Sequence, residues 1–117
     1  MKESELRTRA KALALHILAV CDQIDTHKGR SVLVNQIIRS ATSVGANIHE
    51  ANYASSKADF INKLHIALKE CSETEYWIEL LAGCGAVSDE CGHDLLQEYG
   101  VIRRMLAKSI STAKGRQ

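Results

Sequence analysis

The chain has 117 residues, 45% of them hydrophobic, with no proline, seven glycines and a formal net charge of +1. That length fits one domain, able to bury roughly 65% of the surface its unfolded chain exposes, and the near-zero charge excludes a protein that seeks polyanions through bulk electrostatics alone. No apolar run approaches the roughly 18–20 residues that span a bilayer, and the polar N-terminus lacks the apolar stretch of a signal peptide, so the sequence reads as cytoplasmic, with no membrane partner.

Taken in order, the periodicity predicts four helices. The first spans about residues 4–25, with Ser4 as N-cap and an apolar seam of Leu6, Ala10, Leu13, Ile17, Cys21 and Ile24 at three- and four-residue steps; the polar run 25–29 stops it. The second spans about 31–54, capped by Ser31, with the seam Val34, Ile37, Ala41, Val44, Ile48 and Ala51. Its small residues Ser40, Ala41, Ser43, Gly45 and Ala46 predict a close helix approach, since a glycine inside a helix costs up to about 1 kcal/mol relative to alanine unless packing offsets it. The third spans about 56–82 behind a cap at Ser55 or Ser56, carries Phe60, Leu64, Ala67, Cys71, Thr74, Ile78 and Leu81, and breaks at Gly83-Cys84-Gly85. The fourth spans about 88–113; Ser88, Asp89 and Glu90 suit its N-terminus, Gly92 weakens its first turn, and its seam is Leu95, Tyr99, Ile102, Leu106 and Ile110. Four helices joined by short loops make an all-α chain, an up-down-up-down four-helix bundle.

The four cysteines sit at or near these seams, and in a chain without an export signal they read as small buried hydrophobes rather than two disulfides. The end of the third helix, residues 76–82, is apolar almost all the way round, whereas a surface helix keeps one polar face. Tyr76, Trp77 and Leu80 are therefore candidates for an interface between copies; the alternative is that Tyr76 and Trp77 cover the bundle's end.

Charge is separated along the axis. From Glu70 to Gly100 there are eight acids and no Lys or Arg, and from Val101 onward five cations and no acid. In an up-down bundle the start of helix 1, the helix 2–3 turn and the end of helix 4 share one pole, which makes Arg7, Arg9, Lys11, Lys63, Arg103, Arg104 and Lys108 the candidate phosphate contacts. Favourable helix-end electrostatics explain the helix 4 cations equally well, but not those near the N-termini of helices 1 and 3.

Sites for chemistry are weaker. Glu90-Cys91-Gly92-His93 has the Glu-x-x-His spacing of di-iron bundles, but in one copy only, and Cys84, Cys91 and His93 lack a fourth zinc ligand; no metal or cofactor is expected. Asn47, His49 and Glu50, with His65 and Glu73 or Glu75 on the facing helix, form the best polar cluster. It reads either as an acid–base pair or nucleic-acid contact, or as a structural network in which Arg39, Asn47 and Glu50 set helix register. No nucleophile or phosphate loop accompanies it, which favours structure and a non-enzymatic protein.

Residues 36–51, which include Arg39-Ser40-Ala41-Thr42-Ser43-Val44-Gly45-Ala46-Asn47-Ile48-His49-Glu50-Ala51, are followed by Phe60, Leu64, Ile66 and Ala67, and then by Lys69-Glu70 and residues 72–77. This segment resembles the four-helix-bundle proteins encoded in bacterial 23S ribosomal RNA intervening sequences. The resemblance implies a left-handed bundle assembling as a ring-shaped homopentamer. It also implies likeness to the accessory proteins of diversity-generating retroelements, which bind RNA or DNA and a reverse transcriptase through basic surfaces. Ala51 stands where that family often has glycine. Two functions follow as expectations: a nucleic-acid-binding accessory protein that uses the basic pole, or a protein-interaction scaffold that forms a ring without nucleic acid.

Overall fold

The computed structural model describes residues 2–115, with side chains from residue 5 onward. Its helices are α1 (Lys2–Asp22), α2 (Arg30–Ala51), α3 (Lys57–Gly83) and α4 (Asp89–Ala113), and there is no strand among the described residues. Each helix packs on its neighbours in sequence and α4 closes on α1, with no diagonal contact; the α2–α3 interface is the most extensive and α1–α4 the thinnest. The result is an up-down-up-down four-helix bundle with extents of 46 × 23 × 19 Å.

The predicted seams form the core. Every seam residue of helices 1, 2 and 4 is buried, and in α3 Phe60 alone is only partly buried. The ends differ by a few residues, for local reasons. α1 starts at Lys2, ahead of the expected Ser4 cap, whose side chain lies outside the described residues. It stops at Asp22 rather than near 25, because Gln23 and Ile24 donate to Val20 and Cys21, three residues back, and this tightened turn swings Ile24 into the core. Asp25 then accepts from the His27 backbone N–H at 2.9 Å, and that bond with the His27 ring contact holds its carboxyl below the usual carboxylate range. The expected Ser31 cap does not form: α2 begins one residue earlier, behind Gly29 at φ 78°, with no side-chain cap. At the α2–α3 turn Ser56 accepts from Asp59 N, while Asp59 Oδ2 accepts from Ser55 N at 3.1 Å, so both serines are used. Ser88 caps α4 as expected.

Two glycines exchange their expected roles. At Gly45 an added Cβ would meet Ala10 no closer than 3.9 Å, so the small-residue run does not make a tight crossing there. Gly92, expected to weaken a helix start, is buried where an added Cβ would lie 3.0 Å from Ala82 Cβ. The close approach is between α4 and α3, and it needs a residue without a side chain.

The cysteines are all free, and they are not alike. Cys21 and Cys71 are buried; Cys91 is half-buried, and Cys84 is exposed in the α3–α4 connection, so it is not the buried hydrophobe its sequence position suggested. Burial pushes the Cys71 thiol up to about 12 and the Cys21 thiol up to about 11. A small alkylating reagent at neutral pH should therefore modify Cys84 first and spare Cys21 and Cys71 until the protein unfolds. Intact-mass measurement with peptide mapping reads this directly; early modification of Cys71 would mean that the core opens on the labelling timescale.

Candidate nucleic-acid interface

The antiparallel packing brings the start of α1, the α2–α3 turn and the end of α4 to one end of the bundle. The seven predicted phosphate contacts do not form one patch on it. Arg9 pairs with Glu5 at 3.5 Å, one turn earlier on α1. Lys63 pairs with Glu50 at 3.1 Å across α2 and α3, and Arg103 with Glu75 at 3.3 Å across α3 and α4. Arg7 donates to His49 Nδ1 at 3.3 Å across α1 and α2. Lys11, Arg104 and Lys108 are exposed and form no ion pair among the described residues.

Backbone geometry shapes two of these groups. Gly100 is buried beneath the arginine pair: a Cβ there would lie 3.4 Å from Arg104 Nη1 and 3.6 Å from Arg103 Nη2. The missing side chain lets both guanidinium groups lie against α4, Arg103 held by Glu75 and Arg104 open to solvent. On the other side of the bundle Arg7 and Lys11 lie one turn apart on α1 and line a groove of about 530 Å³ whose α2 wall is Thr42, Gly45, Ala46 and His49. The space at Gly45 is part of what keeps this groove open.

The described carboxylates at this end are used internally. Glu5 and Glu50 hold Arg9 and Lys63, and Asp59 accepts from the Ser55 backbone. A cation without an ion-pair partner retains its charge for an outside anion, and among the described side chains Arg7, Lys11, Lys57, Arg104 and Lys108 form no ion pair.

The predicted polar network of Arg39, Asn47 and Glu50 resolves into three separate contacts. Arg39 reaches Glu70 at 3.2 Å and also pairs closely with Glu73. Asn47 donates within its own helix, to Ser43 O at 2.9 Å and to Ser43 Oγ at 3.1 Å, and Glu50 holds Lys63. Beneath Arg39, two fully buried hydroxyls are linked: Thr74 Oγ1 donates to Ser40 Oγ at 2.8 Å, and Ser40 Oγ donates in turn to the Ile37 carbonyl at 3.3 Å. Burial raises the Glu73 carboxyl, but the hydrogen bonds from Arg39 and from Trp77 Nε1 outweigh it and hold the group below its usual range. Glu73, Glu50 and Glu75 are each paired with a cation of a neighbouring helix. Among the described residues no three His, Cys, Asp or Glu side chains converge to hold a metal ion.

Of the expected interface residues, Tyr76 is 54% exposed, while Trp77 and Leu80 are half-buried. Trp77 packs on the core, with its ring centroid 5.3 Å from that of Tyr76. The second apolar face is therefore narrower than residues 76–82 suggest, because Ile78 and Leu81 belong to the core and the indole is tied down by Glu73.

Residues 2–108 match the model of the 23S rRNA-intervening sequence protein family. The chain belongs to that family. It is similar, at 39% identity and a TM-score of 0.89, to a crystal structure from Bacteroides thetaiotaomicron VPI-5482 described as a protein of unknown function from the S23 ribosomal protein family; the match covers 95% of this chain and 99% of that one. No curated protein matches the chain. As a 23S rRNA-intervening sequence protein, it carries its most distinctive residues in the α2–α3 interlock: Arg39 on Glu70 and Glu73, and Ser40 on Thr74.

One pair escaped the sequence reading. Tyr53, 74% exposed in the α2–α3 turn, leans on His49 with ring centroids 5.4 Å apart. Their four-residue spacing at a helix end was the available signal.

Proposed function

We propose that this protein is a non-enzymatic, oligomeric accessory protein that binds nucleic acid through its basic pole. The reading rests on one observation: among the described side chains, the carboxylates of that pole are taken up by Arg9, Lys63 and a backbone N–H, and Arg7, Lys11, Arg104 and Lys108 form no ion pair. Of the residues expected from sequence, these four are the contacts, while Arg9 pairs within α1, and Lys63 and Arg103 join neighbouring helices. Family membership is compatible with this role and does not by itself supply it.

Affinity for an RNA oligonucleotide should fall steeply with salt, with a log–log slope of about −0.7 to −0.9 per phosphate neutralised. The double variant Arg104→Ala, Lys108→Ala should weaken binding and flatten that slope by up to about 2. Fluorescence anisotropy across a salt series measures both quantities. No binding at low salt, or an unchanged slope in the double variant, rejects the pole as the contact.

A second reading, a ring-forming scaffold without nucleic acid, is supported by the exposure of Leu15, Leu18, Val32 and Tyr76 on a small bundle. Native mass spectrometry of protein purified at low salt without nuclease separates the two. Extra mass that nuclease removes favours the first reading, and a bare oligomer favours the second. Tyr76→Asp is the cleaner variant for dissociating the oligomer, because Trp77 also packs on the bundle's own core.

A further inference from the structure

We propose that Tyr53 and His49 form a stacking platform for an unpaired base, and that the strand carrying this base follows the α1–α2 groove with its phosphates on Arg7 and Lys11. This rests on the nucleic-acid reading above and narrows it to single-stranded ligand.

Tyr53 is the most exposed large hydrophobic side chain of the described residues, at 74%, on backbone that is firmly held. Asn52, Tyr53 and Ala54 donate to the carbonyls of His49, Glu50 and Ala51 at 3.2, 2.9 and 3.2 Å. A large ring in solvent on a fixed support gains nothing for the fold. The His49 ring meets it at an interplanar angle of 54°, a tilted contact that leaves an aromatic face open. The imidazole is itself oriented, because Arg7 Nη2 lies 3.3 Å from Nδ1 and a guanidinium only donates, which makes Nδ1 the acceptor. Guanidinium, imidazole and phenol thus follow one another at the mouth of the groove.

The groove continues from there. Arg7 and Lys11 stand on successive turns of α1, and Thr42, Gly45 and Ala46 present little bulk opposite them. Cations on one wall and an aromatic platform at the entrance are the two components that single-strand binding surfaces combine: charge that tracks the backbone and rings on which bases stack without regard to sequence. A duplex has no free base face to offer such a platform, and its phosphates alone would not require Tyr53.

The test uses the full chain and a labelled, unstructured RNA of about a dozen nucleotides, a length within the range that single-strand sites cover, both alone and annealed to its complement, with binding read by anisotropy. Tyr53→Ala should weaken single-strand binding by between about fivefold and a hundredfold. It should leave the salt slope unchanged, and Tyr53→Phe should restore binding. Lys11→Ala should instead lower the slope by about 1. Duplex binding should be weaker than single-strand binding and indifferent to Tyr53→Ala. If the wild type binds the RNA in a salt-dependent way and Tyr53→Ala binds as tightly, the platform is wrong while the basic pole stands. If neither RNA binds at low salt, both readings fall together. A change in oligomer mass on Tyr53→Ala would place the ring between copies of the chain and also overturn the platform.

Discussion

Truncating Tyr99 to alanine should cost about 3–5 kcal/mol, the range for removing a large aromatic from a packed core, whereas Tyr99→Phe should raise stability by about 1 kcal/mol. The opposite signs come from two parts of one side chain. The ring is 1% exposed and sits in the middle of the α4 seam, where the Cys71 thiol reaches its backbone carbonyl at 3.5 Å. The phenol oxygen is buried with no hydrogen-bond partner among the described residues. In the unfolded chain that hydroxyl is solvated, so folding strips it of water and returns nothing; phenylalanine keeps the packing and removes the cost. Against a total stability of about 5–15 kcal/mol for a domain, the alanine variant should lose a large fraction of it. Urea unfolding checks both, as shifts in midpoint at constant m-value. A loss of more than about 1 kcal/mol on Tyr99→Phe would mean that the hydroxyl is hydrogen-bonded in solution.

The same burial sets an alkaline limb. It pushes the Tyr99 phenol above its ordinary 10.0, with nearby Cys71 adding to the effect, and the Cys71 and Cys21 thiols up to about 12 and about 11 from 9.0. The unfolded chain therefore loses these protons before the folded one does. Stabilisation by the buried neutral groups is complete below about pH 9 and declines as pH rises through the shifted values. Tyr99→Phe should remove the steeper part of that decline above about pH 10.

The second large effect is at Gly92, where helix propensity and packing give opposite signs. Propensity alone predicts that Gly92→Ala stabilises α4 by about 1 kcal/mol. The added methyl would sit 3.0 Å from Ala82 Cβ and 4.0 Å from Ile78 Cγ2, and Ala82 has no flexible end to move aside. Overpacking of this kind costs about 1–3 kcal/mol, so Gly92→Ala should be destabilising overall, and Gly92→Leu, which must displace the start of α4, by about 3 kcal/mol. Gly45→Ala is the control. Its methyl would make only ordinary contact at 3.9 Å from Ala10, and it should stabilise by about 0.5–1 kcal/mol. Thermal unfolding of the three variants decides the matter; stabilisation by Gly92→Ala would show that α3 and α4 separate freely at that crossing.

The two glycines mark the limit of what periodicity conveys. A run of small residues signals that a helix is able to approach another closely, but which glycine is used depends on the crossing points, and those depend on the relative shift of whole helices. The acids and bases follow the same logic. That the C-terminal part of α4 runs toward the end of the bundle that holds the start of α1 follows from helix order and direction, and was legible. That Arg103 is held by Glu75 and Lys63 by Glu50, while Lys11 and Arg104 keep their charge for solvent, depends on side chains meeting across helix pairs. Tyr53 was missed because an exposed aromatic in a turn looks, in sequence, like any other loop residue; its contact with His49 is local, and it is the Arg7 bond to that histidine that requires α1 to lie beside the end of α2.

By itself the sequence determined the class of fold, the four helices to within a few residues, their direction and nearly every core position. It could do so because burying one face of a helix imposes a local rule, an apolar residue every three or four positions, and every seam here obeys it. It also determined membership of the 23S rRNA-intervening sequence protein family, through residues that lock α2 to α3. Only the tertiary structure decided which cations form no ion pair, which glycine sits at a tight crossing, and that the phenol of Tyr99 is buried without a partner among the described residues. Each of those depends on atoms far apart in the chain being brought within about 4 Å, the range over which ion pairs and packing contacts act.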